Sequence, residues 1–378
     1  MSITDPDLQR AVGEVSEPTL GRPLAELGMI RGATVSGDRG HVLVALPEAL
    51  VADRVEVQRR VERAAGDLGL GGVDVEYVTM SPEEEAGVRR AVIGDPAATA
   101  GGEAHGHAEG RSVTFADPAS RTRVLLIASG KGGVGKSSVT TNLATALAGR
   151  GHSTAIIDAD VWGFSIPRML GIDSPPGVID QMIIPPEANG VKCISMGFFA
   201  AEDQPVIWRG PMLHKALEQF LTDVFWDEPD YLLIDLPPGT GDISLSLAQF
   251  LPRAEVIVVT TPQPAAQTVA QRAAYMAHKV KLTVRGVIEN MSWFTGDDGK
   301  RYELFGSGGG EDLAAKLDVP LLGRIPLVPA IREGGDVGTP VVTARPDSEA
   351  TAIFSEIARL LDEEYKPTLR YNEGLKLL

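Results

Sequence analysis

Two kinds of apolar pattern divide this chain. From about residue 121 to 363 short unbroken apolar runs recur: Val124-Leu125-Leu126-Ile127, Thr154-Ala155-Ile156-Ile157, Tyr231-Leu232-Leu233-Ile234, Val256-Ile257-Val258-Val259, Val284-Arg285-Gly286-Val287-Ile288 and Leu321-Leu322-Gly323. Runs of this length predict strands buried on both faces, as in a parallel sheet. Between them the apolar spacing turns helical, as at 265–277 and 311–317. A last helix at about 348–361 carries Ile353, Ile357, Leu360 and Leu361 on one face. Strand and helix in alternation predict an α/β domain with helices on both faces of a parallel sheet.

The first 92 residues are patterned differently. Leu8, Val12 and Val15 share a helical face, Val42-Leu43-Val44-Ala45-Leu46 reads as a strand after the turn Gly37-Asp38-Arg39-Gly40, and 55–65 reads as a charged amphipathic helix. Val73-Asp74-Val75-Glu76-Tyr77-Val78 alternates as a half-buried strand. The order α-β-β-α-β predicts a small two-layer α+β domain over 1–92. Residues 93–120 have no periodicity and read as a flexible linker, and 364–378 as a mixed tail. His105 and His107 in the linker are two ligands where a complete metal site takes three or four.

Composition narrows the function classes. At 378 residues the chain is expected to hold two or three domains, and 43% hydrophobic residues suffice for a core. A net charge of −16 argues against wholesale nucleic-acid binding. The single cysteine, Cys193, rules out an intramolecular disulfide and points to the cytoplasm. The first seven residues lack the basic and apolar regions of a signal peptide, and no apolar run approaches the roughly 20 residues that span a bilayer. Neither nucleic acid nor membrane is therefore an expected partner.

The candidate chemistry starts at Gly130-Lys131-Gly132-Gly133-Val134-Gly135-Lys136-Ser137, which fits the P-loop template at every fixed position, with an apolar strand before it and a helix pattern from Ser138 after it. Glycines let the backbone wrap a polyphosphate, and the helix N-terminus favours its charge. Lys136 is expected on the β- and γ-phosphates of ATP and Ser137 on Mg²⁺. Ser129 and Ser138, which flank the loop, are taken with it as nucleotide-binding. Asp235, ending the run Leu233-Ile234-Asp235, has the Walker B arrangement of a carboxylate beside the metal. Asp158 and Asp160 put two more acids after a strand, and Asn290 ends another strand with a donor and an acceptor suited to an adenine edge.

A lysine just after the first glycine resembles the deviant Walker A loop of the MinD/ParA/Mrp superfamily. Pro237-Pro238-Gly239-Thr240-Gly241-Asp242, Phe305-Gly306-Ser307-Gly308-Gly309-Gly310 and Leu322-Gly323-Arg324-Ile325-Pro326 are similar to Mrp/ApbC signatures, and 121–345 follows that family's order. Phe164 stands where the family usually has proline. The resemblance implies a Mg²⁺-dependent homodimeric ATPase that carries iron–sulfur clusters to recipient or scaffold proteins. In it Lys131 would reach the partner's nucleotide, Asp160 would position the attacking water, Asp158 would lie near Mg²⁺ and Asn290 at the base. Residues 15–30 resemble a small iron–sulfur-assembly domain, whose relatives often carry a cysteine where Leu46-Pro47-Glu48-Ala49 stands here.

The family also implies a [4Fe–4S] cluster held by Cys-x-x-Cys between Ser292 and Phe305. Those ligands are missing: Trp293-Phe294-Thr295-Gly296-Asp297-Asp298-Gly299-Lys300 reads as a polar turn. Cys193, in the apolar run Val191-Lys192-Cys193-Ile194-Ser195-Met196, reads as a buried inert thiol. The alternative is a nucleotide-switched scaffold like MinD or ParA. A MinD-like role needs a basic amphipathic membrane helix, and 369–378 is short and broken by Gly374.

Overall fold

The computed structural model describes residues 3–94, 113–161, 163–199, 210–239 and 242–367. His105, His107, Thr240, Gly241 and the tail from 368 lie outside the described residues. Two compact units emerge, and they do not follow chain order. Residues 176–185 and 222–227 cluster with the N-terminal unit, and the rest of the chain from Val113 forms the second.

The N-terminal unit is built on a three-stranded sheet in the order Ile30–Ser36, Arg39–Leu46, Gly72–Thr79. The first two strands pair antiparallel as a hairpin and the last two parallel. Parallel neighbours need a crossover, which the helix Arg54–Asp67 supplies. The helix Asp5–Gly13 buries Leu8 and Val12, whereas Val15 lies past its end. A further helix, Pro82–Ile93, departs from the expected α-β-β-α-β order. It starts with a capping box in which Ser81 Oγ accepts from Glu84 N and Ser81 N donates to Glu84 Oε2. The hairpin of Gly177–Ile179 and Met182–Ile184 adds Ile179, Met182 and Ile184 to this unit's core, together with Phe225.

One acid in this core has a pH consequence. Glu17 is fully buried; its Oε2 accepts from Leu20 N at 2.5 Å, and no donor faces Oε1. Burial pushes its carboxyl up to about 8, against the donation from Leu20 and with nearby Asp53 adding to the rise. A proton on Glu17 thus supplies the missing donor toward Asp53. The folded state holds this proton more tightly than the unfolded chain, so stability from this group is complete below the ordinary value of 4.5 and is lost as pH rises to about 8. Glu17→Gln keeps an acceptor for Leu20 and a donor for Asp53. Thermal melts should show the variant gaining about 1–3 kcal/mol more over wild type at pH 8 than at pH 5. An equal effect at both pH values would refute the assignment.

The second unit carries an eight-stranded sheet. Its spatial order is Leu321–Arg324, Thr283–Glu289, Glu255–Thr260, Arg123–Ser129, Tyr231–Asp235, Thr154–Asp158, Val191–Ser195, Glu187–Ala188. All neighbours are parallel except the two-residue edge strand Glu187–Ala188, which pairs antiparallel to Val191–Ser195. The strand before the phosphate loop is central, flanked by two strands that come later in the chain. The chain therefore runs first to one side of it and later crosses to the other, and a ligand crevice opens at the carboxyl ends of the strands. The helix Lys136–Gly149 packs on the sheet and against Glu349–Arg359, while Pro264–Lys279 packs on Glu255–Thr260 with Gly309–Leu317 beside it. The stretch expected as a polar turn is the tip of a small hairpin, Phe294–Thr295 paired with Arg301–Tyr302, in which Tyr302 Oη donates to Asp298 Oδ2 at 2.8 Å.

Candidate functional site

The site grows from the turn between the strand Arg123–Ser129 and the helix Lys136–Gly149. At two of its glycines this turn admits no side chain. A Cβ on Gly130 would sit 2.3 Å from the backbone of Val269 and Ala270. Gly135 has φ +77°, and a Cβ there would lie 2.3 Å from Asn290 Nδ2. The loop is thus pressed against two other elements and open on its remaining side. There Ser129, residues 131–138 and Asp160 line a cleft of about 230 Å³.

Behind the loop, Asp235 is fully buried and draws three side chains of the helix start together. Ser137 Oγ donates to Asp235 Oδ2 at 2.6 Å, and Thr140 Oγ1 donates to Oδ1 at 2.7 Å. Lys136 Nζ lies 2.6 Å from Asp235 Oδ2 as an ion pair, yet no acceptor meets its N–H bonds with hydrogen-bond geometry. A buried ammonium with unused donors at the floor of a glycine loop fits an anion with several oxygens. The Ser137 hydroxyl and the Asp235 carboxylate, both oxygen donors, fit Mg²⁺.

Asp158 ends the strand beside Asp235 and is in register with it. Burial pushes its carboxyl up to about 7, and Asp235 adds to the rise. Its Oδ2 accepts from Ser195 Oγ at 3.0 Å, Ser165 N at 3.1 Å and Ile166 N at 3.2 Å, and its Oδ1 from Asp160 N at 3.3 Å. Asp160 stands on the cleft wall, its Oδ1 accepting from Gly163 N at 3.1 Å. Asn290 lies against the loop rather than free: its Nδ2 donates to Val134 O at 2.8 Å. Lys131 Nζ donates to Gln263 Oε1 of the same chain at 3.0 Å.

The structure thus gathers the expected loop residues, Asp158, Asp160, Asp235 and Asn290 at one edge of the sheet. Thr140, Ser195 and Gln263 each bond a residue of this site, Asp235, Asp158 and Lys131 respectively. Ser195 and Gln263 carry no such signal in the sequence pattern, and Thr140 carries only a local one, lying one helical turn beyond Lys136. Cys193 is fully buried in the strand Val191–Ser195, and burial pushes its thiol well above the ordinary value. No group of three or more His, Cys, Asp or Glu able to hold a metal ion occurs among the described residues. No helix among the described residues is long and apolar enough to cross a membrane.

Comparison with known proteins adds relatives to this geometry. Residues 120–362 match a family model described as ParA, NUBPL iron-transfer P-loop NTPase. The chain is 45% identical over 377 residues to the iron–sulfur cluster carrier protein of Mycobacterium leprae, covering 96% of this chain and 94% of that protein. It is 42% identical over 328 residues to the iron–sulfur cluster carrier protein of Bacillus subtilis, covering 86% and 88%. Among solved structures, a nucleotide-binding protein in complex with ADP from Archaeoglobus fulgidus aligns with a TM-score of 0.55 at 32% identity, covering 64% of this chain and 96% of that one. The septum site-determining protein MinD with Mg-ADP from Pyrococcus horikoshii aligns with a TM-score of 0.50 at 27% identity, covering 64% and 96%.

Proposed function

The chain belongs to the iron-transfer P-loop NTPase family, and we propose that it is a Mg²⁺-dependent ATPase whose cycle serves the transfer of iron–sulfur clusters. The observation that carries this reading is the Lys136 ammonium, buried at the floor of the loop with unused donors. Lys136 and the loop N–H groups bind the β- and γ-phosphates and hold them for in-line attack. Ser137 and Asp235 would hold Mg²⁺, which would supply positive charge against the phosphates. Asp160, on the cleft wall, orients the attacking water and accepts its proton. Asn290 keeps its Oδ1 acceptor for the base. The adenine amino group donates there, whereas guanine presents a carbonyl, so ATP is favoured. Lys131 acts across a homodimer. The water oxygen bonds to the γ-phosphorus as the bond from that phosphorus to the β–γ bridging oxygen breaks; the water's proton passes to Asp160, and ADP and inorganic phosphate leave.

The cluster itself is cargo, and this chain's residues do not fit it as ligands. Thiolates select iron–sulfur centres, and the one thiol is buried and held protonated. Carriage in this reading runs through a partner that supplies the thiolates. Purified protein should release phosphate from ATP with Mg²⁺ and not with excess chelator. Anaerobic reconstitution with iron and sulfide should then leave less than about one tenth of a cluster per dimer, in wild type and in Cys193→Ser alike. A stoichiometric cluster that disappears in Cys193→Ser would show that the thiol becomes accessible and would overturn the partner-thiolate reading.

A further inference from the structure

The row of strand ends beside the phosphate loop continues one strand further. Asp235 is in register with Asp158, and Asp158 with Ser195, across three neighbouring parallel strands. Ser195 is fully buried. Its Oγ donates to Asp158 Oδ2 at 3.0 Å and accepts from Gly197 N at 3.0 Å.

We propose that Ser195 is a positioning residue for the hydrolytic step, acting on Asp160 through Asp158; this rests on the ATPase reading. Asp158 closes a loop in the chain. Its Oδ1 takes the amide of Asp160 and its Oδ2 the amides of Ser165 and Ile166. Both ends of the segment that carries Asp160 are therefore tied to one carboxylate. Those three donors all belong to the segment being ordered, so they move with it. Ser195 is the donor that comes from elsewhere, from a sheet strand paired to the strand of Asp158. It fixes the carboxylate to the sheet, and the carboxylate fixes the segment. Asp160 also accepts a turn bond from Gly163 within the same segment. Its aim at the cleft therefore depends on where the segment as a whole is held. A displaced catalytic carboxylate costs rate far more than nucleotide affinity, because it touches water and not the phosphates.

The hydroxyl could instead merely satisfy a buried carboxylate. That bland role predicts lost stability with no selective effect on turnover. The test uses the full chain with Ser195→Ala, Ser195→Thr and Asp158→Asn. In Ser195→Ala, kcat for ATP should fall about tenfold while KM and the ADP dissociation constant stay within about twofold. Hydrogen exchange should quicken at the amides of Ser165 and Ile166 and stay unchanged in the phosphate loop. Ser195→Thr, which keeps the hydroxyl, should restore both readouts, and Asp158→Asn should quicken the same exchange at Ser165 and Ile166 where Ser195→Ala folds poorly. Unchanged kcat and exchange would overturn the proposal, as would a parallel fall in kcat, affinity and protection throughout the sheet. A wild type that hydrolyses no ATP sinks the parent reading instead, and exchange at Ser165 and Ile166 alone then decides the tether.

Discussion

Lys136→Ala should lower kcat/KM for ATP by about a thousandfold or more, the largest single-residue effect expected in this protein. The side chain is buried, faces the phosphate cleft, and has donors that no protein acceptor meets. It can therefore bind phosphate oxygens without first breaking a well-formed hydrogen bond, although it must share its charge with Asp235. Its loss removes charge from both ground state and transition state, so affinity and turnover fall together. Asp235 would then keep only the Ser137 and Thr140 hydroxyls, and a thermal melt separates lost binding from lost folding. Asp160→Ala is the contrasting variant. It should bind ADP within about threefold of wild type and lose about a hundredfold in kcat, because general-base assistance is worth that much. Isothermal titration with ADP and steady-state phosphate release read the two apart. Equal, unimpaired hydrolysis in both variants would overturn the assignment of the reaction to this site.

Contiguity decides what of this site was legible. Residues 130–137 occupy fixed places in one turn, so their spacing alone carries the chemistry. The carboxylates at Asp158 and Asp235 were visible because each ends an apolar run that must be a buried strand. Their partners were not. Ser195 reaches Asp158 from 37 positions away, and Gln263 reaches Lys131 from 132 positions away, through strand order that no local pattern encodes. Serine at a strand end and glutamine before Pro264 have many other uses. The same holds for Ile179 and Met182, whose apolar character says that they are buried but not in which unit's core. By contrast, the helix Pro82–Ile93 is announced locally, since Ser81, Pro82 and Glu84 form a helix-start signature.

Lys131→Ala should leave ADP binding within about threefold of wild type and reduce hydrolysis by about a hundredfold to a thousandfold, as loss of a cation supplied in trans does in phosphoryl transfer. In the single chain Lys131 Nζ is parked on Gln263 Oε1 at 3.0 Å, a neutral acceptor. Leaving it costs about 1–2 kcal/mol, far less than an ion pair to a polyphosphate returns in a closed dimer. The parked lysine therefore suits a residue that engages only when a second subunit brings a nucleotide within reach. Complementation distinguishes this from a role in its own subunit. In a mixed dimer of Lys131→Ala with Asp160→Ala, the first subunit keeps its own Asp160 and receives Lys131 from its partner, while the second subunit's site lacks both. Random pairing of equal amounts makes about half of the dimers mixed, each with one competent site, so the mixture should recover about a quarter of wild-type activity. Action within its own subunit predicts no recovery at any ratio, because neither protein then contains a complete site. Specific activity should also rise with protein concentration through the dimerisation range. A wild type that is active and strictly monomeric in light scattering would overturn the trans assignment.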